Sequence, residues 1–273
     1  MNTGLYEGYM IVSDMDATLI SSDHKISDEN KDALKYFTEN GGIFTVASGR
    51  MIDAIGVFYG ELPINAPVIA HNGAKIYDFK TGKTIYNAYV NESRKKYVHD
   101  VYKNMPELGI EIYSDEEIYV YRSCRITERL NGKSYKIHYE VSEDIFNKPW
   151  SKLLYIGEKD VLDYYENIYR TCYDSGYAVR SGDNFLDIVA EGASKANAML
   201  RVADMFKINH KNIAAIGDNL NDEEMIEAAG ISFCVKNGVD RLKGKADFIA
   251  PDCDSDALKF VVEKIREIAS AEK

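Results

Sequence analysis

Short apolar segments alternate with amphipathic segments in the first part of this chain, and this alternation limits the possible folds more than any other feature. The apolar segments have the length of buried strands, and the amphipathic ones have helical spacing. Such alternation favours a parallel sheet joined by right-handed crossovers. The sequence therefore predicts an α/β core. The predicted elements are strand 9–12, a helix from the capping Ser27 to Asn40, strand 43–47, helix 51–59 and strand 67–70.

The alternation stops after about residue 78 and returns at Phe185. The interval contains short strands, helices such as residues 161–174, and most of the tyrosines, because 16 of the 20 lie from Tyr77 to Tyr177. Tyr favours strands and amphipathic surfaces, so we interpret the interval as an inserted α+β domain packed by tyrosines. The returning core is predicted as strand 185–189, a helix capped by Ser194, strands 213–216 and 231–235, and a final helix 255–269.

Charge and composition exclude several classes of partner. The 33 basic and 44 acidic residues give a net charge of −11, which disfavours general binding to nucleic acid or to an anionic membrane. No apolar run approaches the roughly 20 residues that span a bilayer, and no signal-peptide pattern occurs at the start. The four scattered cysteines suit reduced thiols. We therefore expect a cytoplasmic protein without membrane or nucleic-acid partners.

Two carboxylates follow the first predicted strand directly. Asp14 and Asp16 belong to the segment Asp-Met-Asp-Ala-Thr-Leu. One carboxylate of such a pair can attack phosphorus while the other handles the proton of the leaving oxygen. A bare Asp-x-Asp is more typical of a polar turn. Thr18, Leu19 and the preceding strand favour the catalytic interpretation here.

A second acidic cluster follows the predicted strand 213–216. It is the segment Gly-Asp-Asn-Leu-Asn-Asp, which ends at Asp222. Oxygen ligands of this kind suit Mg²⁺. The alternative is a polar turn in which Asp222 caps the next helix, but this alternative does not account for the whole cluster. The segment therefore predicts a cation site.

Two further positions are ambiguous when each is taken alone. Ser48, Gly49 and Arg50 follow the second predicted strand, where a hydroxyl and backbone N–H groups can bind an anion. Ser48 can equally be an ordinary N-cap, and Arg50 can bind an anion or form a structural ion pair. Lys195 begins a helix, which is unfavourable for the helix dipole and suggests a nearby anion. The alternative is an exposed lysine.

Taken together, the four positions indicate one shared site, because each follows or lies near a predicted strand and they occur in order in a parallel-sheet pattern. Ligands of open parallel sheets bind beyond the carboxyl ends of the strands. One site would then combine a nucleophile, an acid/base, phosphate donors and a divalent cation. These are the components of phosphoryl transfer.

These motifs resemble those of the haloacid dehalogenase superfamily of phosphohydrolases, in particular the Cof-type, sugar-phosphatase-like members. The family's first motif, Asp-x-Asp-Gly-Thr-Leu, is matched from Asp14 except that Ala17 replaces the usual Gly. Ser48 matches the second motif, Lys195 the third, and residues 217–222 the fourth in full. The Asn-Gly hairpin that follows the third strand in this subgroup is matched by Asn72 and Gly73.

The spacing of the motifs indicates the cap type. Asp14 and Ser48 are 34 residues apart, which leaves no room for an inserted domain, whereas 147 residues separate Ser48 from Lys195. In this family an insertion at the second point is a class II cap, and its length is that of the IIB subtype. The resemblance implies a Rossmann-like, doubly wound parallel-sheet core in residues 1–80 and 188–273, with an inserted α+β cap in residues 81–187.

The resemblance also implies roles for individual residues. Asp14 would be the nucleophile that forms an aspartyl-phosphate, and Asp16 the general acid and base. Mg²⁺ would be held by Asp14, the backbone carbonyl of Asp16 and Asp218, with Asp222 supporting it. The remaining site residues would bind the phosphoryl oxygens; they are the side chains of Ser48, Lys195 and Asn221 and the backbone N–H groups of Met15 and Gly49.

The leading hypothesis is a Mg²⁺-dependent phosphatase that acts on small phosphorylated metabolites, with sugar phosphates as the expected class. A phosphomutase is a second hypothesis, although mutases of this superfamily usually carry their cap between the first two motifs. A non-catalytic sensor is a third, and Ala17 is its only support, since Ala at a position with positive φ costs about 1 kcal/mol. The sequence leaves the individual substrate and the oligomeric state open.

Overall fold

The computed structural model describes residues 4–173 and 178–271, and the chain divides into two units. The first unit consists of Met1–Ile85 and Ser194–Lys273, and the second of Tyr86–Ala193. The boundaries proposed from the sequence, 80/81 and 187/188, lie five and six residues before these. Asp174 and Tyr177, which the sequence assigned to a helix and to the tyrosine-rich segment, fall outside the described residues.

The first unit begins with seven elements, of which the first five follow the predicted alternation; the last, Lys83–Asn87, lies in the segment predicted as the cap and crosses the boundary between the units. Ser27 caps α1 by accepting a hydrogen bond from the Asn30 N–H at 3.2 Å, as predicted. The elements are β1 (Met10–Ser13), α1 (Asp28–Glu39), β2 (Ile43–Val46), α2 (Ile52–Tyr59), β3 (Val68–Ala70), β4 (Lys75–Asp78) and β5 (Lys83–Asn87).

The second unit is a six-stranded sheet with two helices. Its strands lie in the order β10-β11-β9-β6-β7-β8, and all neighbours are antiparallel except β7 and β8. Tyr119, Tyr155 and Tyr169 are buried in its apolar core, as the packing interpretation predicts. The elements are α3 (Glu92–Asn104), β6 (Gly109–Ser114), β7 (Glu117–Arg122), β8 (Ile137–His138), β9 (Lys152–Ile156), α4 (Lys159–Cys172), β10 (Ala178–Gly182) and β11 (Phe185–Val189).

The placement of β11 corrects one prediction. The returning alternation assigned residues 185–189 to the parallel core, and this assignment is wrong. The strand pairs antiparallel with β9 on one side and with β10 on the other. In the pairing with β9, Leu186 lies opposite Tyr155. An apolar strand of five residues has the same pattern in either sheet, because both sheets bury it.

The chain then returns to the first unit and completes its sheet. The short helix α7 and the edge strand β14 were not predicted. The elements are α5 (Lys195–Met205), β12 (Ile213–Gly217), α6 (Glu223–Ala228), β13 (Ile231–Val235), α7 (Asp240–Lys243), β14 (Phe248–Ala250) and α8 (Ala257–Ala271).

The first unit's sheet has the predicted parallel arrangement, in the order β14-β13-β12-β1-β2. β1 is an interior strand, with Ser13 opposite Ile216 of β12 on one side and Val46 of β2 on the other. β3 contacts the edge through a parallel bridge between Ala47 and Ile69. The register therefore brings the carboxyl ends of β12, β1 and β2 to the same level.

Two further findings bear on the expectations from composition. No helix within residues 4–173 and 178–271 is both long enough and apolar enough to cross a membrane. The four cysteines, at positions 124, 172, 234 and 253, are free thiols.

Candidate active site

The sheet register places the first two motifs side by side at the carboxyl end of β1. The Asp14 N–H donates to the Ile216 carbonyl at 2.9 Å, which continues the ladder between β1 and β12. The Ala47 N–H donates to the Ser13 carbonyl at 2.8 Å, so Ser48 comes one residue beyond the end of the ladder with β2. Asp14 and Ser48 are both buried.

Lys195 reaches this site although the strand before it belongs to the other unit. Its ammonium group is fully buried and donates to Asp14 Oδ1 at 2.5 Å and to Asp222 Oδ1 at 2.6 Å. The start of α5 is positioned by the turn between β3 and β4, where a Cβ on Gly73 would lie 2.1 Å from the Ser194 carbonyl oxygen. An exposed Lys195 is therefore excluded, and the nearby anions are two carboxylates.

The charges of this cluster shift its pKa values strongly. Burial raises the pKa of Asp14 to about 7, against the opposing charge of Lys195 and with the support of Asp222. Burial by itself would lower the pKa of Lys195, but the charges of Asp14 and Asp222 outweigh it and raise that pKa. Lys195 is therefore a permanent cation between the two carboxylates.

Asp222 closes the loop that follows β12. Its Oδ2 accepts hydrogen bonds from the N–H groups of Asp218 and Asn219 at 3.0 and 3.2 Å. A Cβ on Gly217 would lie 2.4 Å from the Asp222 carboxyl carbon, so only glycine fits at that position. Asp222 does occupy the N-cap position of α6, but its side chain makes no capping hydrogen bond there and is engaged by this loop and by Lys195 instead.

Asp16 points toward Arg50. The Arg50 guanidinium donates from Nε to Asp16 Oδ2 at 2.8 Å and from Nη2 to Asp16 Oδ1 at 2.5 Å. Its Nη1 donates to the Ala54 carbonyl at 3.3 Å, and the guanidinium lies over the Phe58 ring at 5.2 Å. Of the two alternatives for Arg50, the structure shows the ion pair, and its partner is the predicted acid/base.

The predicted phosphate-binding residues are joined through Asn72. Asn221 Nδ2 donates to Asn72 Oδ1 at 3.2 Å, and the Asn72 N–H donates to the Ser48 carbonyl at 3.0 Å. Ser48 Oγ accepts from the Arg50 N–H at 3.1 Å. The backbone of Met15 is buried next to Asp14, and its carbonyl accepts the N–H groups of residues 18–20.

Comparison with known families agrees with this geometry. The family model described as haloacid dehalogenase-like hydrolase matches residues 11–262. The chain belongs to this family. A curated relative, 5-amino-6-(5-phospho-D-ribitylamino)uracil phosphatase YwtE of Bacillus subtilis, is 25% identical over 93% of this chain and 97% of its own. The family and the phosphatase names of its relatives make this haloacid dehalogenase-like hydrolase a phosphoric monoester hydrolase, as predicted.

Solved structures confirm the predicted fold of the hydrolase. A haloacid dehalogenase-like hydrolase from Bacteroides thetaiotaomicron superimposes with a TM-score of 0.78 at 25% identity, over 94% of this chain and 99% of that chain. The subclass IIB sugar phosphatase BT4131 superimposes with a TM-score of 0.81 at 18% identity, over 94% and 98%. The resemblance to the Cof-type members with a IIB cap is therefore confirmed at the level of the fold.

The hydrolase contains a carboxylate cluster with the chemistry of a cation site. Asp14, Asp218 and Asp222 each place an oxygen within 4.8 Å of the others. Both Asp222 oxygens are engaged, whereas the Asp218 carboxylate accepts no hydrogen bond from any residue that the structure describes. Burial, then the charges of Asp14 and Asp222, raise the pKa of Asp218 to about 8. A hard cation would relieve this repulsion, so the donor set fits Mg²⁺.

The turn that carries Asp16 keeps its left-handed conformation although Ala17 replaces the family's glycine. Ala17 has φ = 57°, and its carbonyl accepts a hydrogen bond from Asn237 Nδ2 at 2.8 Å. Asn237 Oδ1 in turn accepts from the Cys253 N–H at 2.9 Å. The surrounding structure thus holds a conformation that an L-residue adopts at a cost.

We expect Ala17→Gly to raise the free energy of unfolding by up to about 1 kcal/mol, because glycine adopts positive φ without the Cβ clash. Urea-induced unfolding measures the change. Ala33→Gly, within α1, is the matched control and should lower the free energy of unfolding by roughly 0.5–1 kcal/mol. A loss of stability in both variants would show that the turn at Ala17 is unstrained.

Sequence reasoning missed two residues of this site in the hydrolase and the partner of a third. Asn72 was interpreted only as part of a tight turn, and Asn237 carried no signal, since it lies in no motif. The sequence allows an ion pair for Arg50 but does not identify Asp16 as its partner, because pairing between residues of different loops follows from tertiary structure. The available signal for this pair was that Asp-x-Asp and Ser-Gly-Arg each follow a predicted strand of the same parallel sheet.

Proposed function

We propose that the protein is a Mg²⁺-dependent phosphatase that hydrolyses small phosphorylated metabolites through an aspartyl-phosphate on Asp14. The observation that carries this proposal is the buried Lys195, which holds Asp14 Oδ1 at 2.5 Å. Asp14 Oδ2 accepts no hydrogen bond within the described residues and is thus available for attack. The same ammonium group provides a fixed positive charge beside the incoming phosphoryl group.

In the first step, Asp14 Oδ2 forms a bond to phosphorus as the bond from phosphorus to the leaving oxygen breaks. The electron pair of the broken bond stays on the leaving oxygen, which takes a proton from Asp16. Arg50 pairs with Asp16 in its ionised form, which is the form left after this proton transfer. Ser48, Asn221 and the neighbouring backbone N–H groups would stabilise the phosphoryl oxygens.

In the second step, water attacks the phosphorus of the aspartyl-phosphate, and Asp16 takes its proton. The bond between phosphorus and Asp14 breaks, which restores the carboxylate and releases inorganic phosphate. Asp14, the Asp16 carbonyl and Asp218 would hold Mg²⁺, and Asp222 would support Asp218 through its backbone N–H. The bound ion supplies positive charge that offsets the repulsion between these carboxylates and the phosphoryl group.

The names of the relatives support the substrate class. One relative is named as a phosphatase of 5-amino-6-(5-phospho-D-ribitylamino)uracil, and one structural relative is named a sugar phosphatase. We propose phosphate esters of sugars and related small metabolites as substrates. The free cysteines support a cytoplasmic location.

A screen of phosphate release tests the proposal. The purified protein is incubated with a panel of sugar and cofactor phosphates, in MgCl₂ and in EDTA, with Asp14→Asn as the control. We expect release of inorganic phosphate from at least one compound, dependent on Mg²⁺ and absent in Asp14→Asn. No release from any compound, or equal release in EDTA, would contradict the proposal. An isomerised sugar phosphate without free phosphate would support the phosphomutase hypothesis.

A further inference from the structure

Asn72 occupies an unusual position in the turn between β3 and β4. It is only 2% exposed and adopts the left-handed conformation, with φ = 53° and ψ = 36°. Glycine adopts this conformation at no steric cost, and asparagine is among the few other residues that tolerate it. A buried polar side chain at such a position needs partners for its amide group.

The Asn72 side chain lies among residues that the proposed function assigns to the phosphoryl group. Its Oδ1 accepts a hydrogen bond from Asn221 Nδ2 at 3.2 Å. A Cβ built on Gly49 would lie 3.1 Å from Asn72 Oδ1 and 3.2 Å from Asn72 Nδ2, so the amide lies directly against the Gly49 backbone. The Asn72 N–H also donates to the Ser48 carbonyl.

Only one of the two polar atoms of the Asn72 amide, Oδ1, has a hydrogen-bond partner among the described residues. Its Nδ2 is buried and has no hydrogen-bond partner in the part of the chain that the structure describes. Buried amide donors without a partner are rare and costly, and a bound ligand is one of the few ways to satisfy them. An acceptor oxygen placed beside Gly49 and Asn221 would accept a hydrogen bond from Asn72 Nδ2.

We propose that Asn72 is a further phosphate-binding residue, whose Nδ2 donates to an oxygen of the bound phosphoryl group. This inference rests on the proposed function, because it requires a phosphoryl group in the site. The amide adds a donor without adding charge, next to the donor Asn221. Asn72 thereby connects the turn after β3 to the phosphate site, in addition to the loops after β1, β2 and β12.

The test uses Asn72→Gly, which removes the amide and retains the left-handed turn. The affinity for inorganic phosphate, used as the probe in the presence of MgCl₂, is measured by calorimetry. We expect the affinity to fall at least about 10-fold, the effect of losing a hydrogen bond to a charged group. The thermal midpoint should stay equal or rise, since glycine suits the turn.

A double-mutant cycle with Asn221→Ala separates direct donation from positioning of Asn221. If Asn72 donates to phosphate itself, Asn72→Gly weakens phosphate binding further in the Asn221→Ala background. An Asn72→Gly effect that disappears in that background would overturn the inference. Asn72→Asp is a second variant, which keeps the acceptor for Asn221 and replaces the donor by an acceptor that repels phosphate. It should weaken binding more than Asn72→Gly does.

Asn65→Gly is the matched control at the opposite end of β2. Asn65 has both of its amide groups satisfied, because Oδ1 accepts from the Phe44 N–H at 2.8 Å and Nδ2 donates to the Gly42 carbonyl at 2.9 Å. Its replacement should lower the thermal midpoint and leave phosphate affinity unchanged.

The outcomes distinguish this inference from the proposed function. Wild-type protein that binds and releases phosphate, together with an Asn72→Gly variant of equal phosphate affinity, would overturn the role of Asn72 alone. Wild-type protein that neither binds phosphate nor hydrolyses any ester would overturn both. Weaker phosphate binding by Asn72→Gly, with an unchanged thermal midpoint, supports both.

Discussion

Asp14→Asn should abolish turnover and, in metal-free buffer, make the protein more stable. We expect turnover to fall by at least about 10⁴-fold, because the amide is not a nucleophile. In metal-free buffer, by contrast, the free energy of unfolding of this variant should rise. Asp14, Asp218 and Asp222 form a cluster of three carboxylates, and Lys195 pairs with two of them. The variant removes one negative charge from this cluster, while its Oδ1 still accepts from Lys195.

The pH dependence follows from the raised pKa values of Asp14 and Asp218, about 7 and about 8 in the folded protein. The folded state binds more protons than the unfolded state between about pH 4 and these values, so metal-free stability falls as the pH rises through this window. Asp14→Asn removes one of the two contributions. Its free energy of unfolding at pH 8 should exceed that of the wild type by up to about 4 kcal/mol, since one pKa unit corresponds to about 1.4 kcal/mol.

Urea-induced unfolding at pH 5 and pH 8, in EDTA and in MgCl₂, measures this effect. Mg²⁺ should stabilise the wild type more at pH 8 than at pH 5, because the cation binds ionised carboxylates. Asp23→Asn is the matched control. The hydrogen bonds of Ser21 and Lys25 lower the pKa of this exposed carboxyl, so its replacement should bring no gain. Equal metal-free stabilities of wild type and Asp14→Asn at pH 8 would refute the repulsion between these carboxylates.

Lys195→Met should produce the largest loss of stability among single substitutions at the site. The variant leaves Asp14 and Asp222 buried without their shared cation, and breaking a buried ion pair from one side costs about 3–5 kcal/mol. Phosphate binding should be lost as well. Denaturant unfolding at pH 7 measures the stability, and calorimetry with inorganic phosphate measures the binding.

The double variant Lys195→Met with Asp14→Asn checks the cause of this loss. If the unpaired charge of Asp14 destabilises Lys195→Met, adding Asp14→Asn should restore part of the lost free energy. The gain should be larger than the gain from Asp14→Asn in the wild type, which is a measurable coupling between the two residues. Additive effects would mean that Lys195 does not offset the charge of Asp14.

Local patterns in the sequence were sufficient to predict the parallel core and the helices that begin at Ser27 and Ser194. These features depend on apolar spacing and on capping residues, which act over a few positions. The membership of β11 was not predictable in this way, since burial on both faces produces the same pattern in either sheet. The edge strand β14 is only three residues long and partly exposed, and so it has little periodicity.

The same distinction between local patterns and long-range contacts applies to the candidate site. Asp14, Asp218, Asp222 and Lys195 were predicted because their spacing repeats a family pattern, and the structure brings them together. The pair of Asp16 with Arg50 and the half-satisfied amide of Asn72 arise only when separate loops meet. No local pattern encodes such contacts.

The interior position of β1, between β12 and β2, has a consequence for the order of folding. β1, which precedes the proposed nucleophile Asp14, pairs on one side with β12, so Met10 lies opposite Ile213. During synthesis the first unit lacks this neighbour until nearly the whole chain has been made, whereas every strand of the second unit's sheet is already available. Pairing between such distant segments is slow. The inserted domain thus has the opportunity to fold first, and the first unit completes its parallel sheet afterwards.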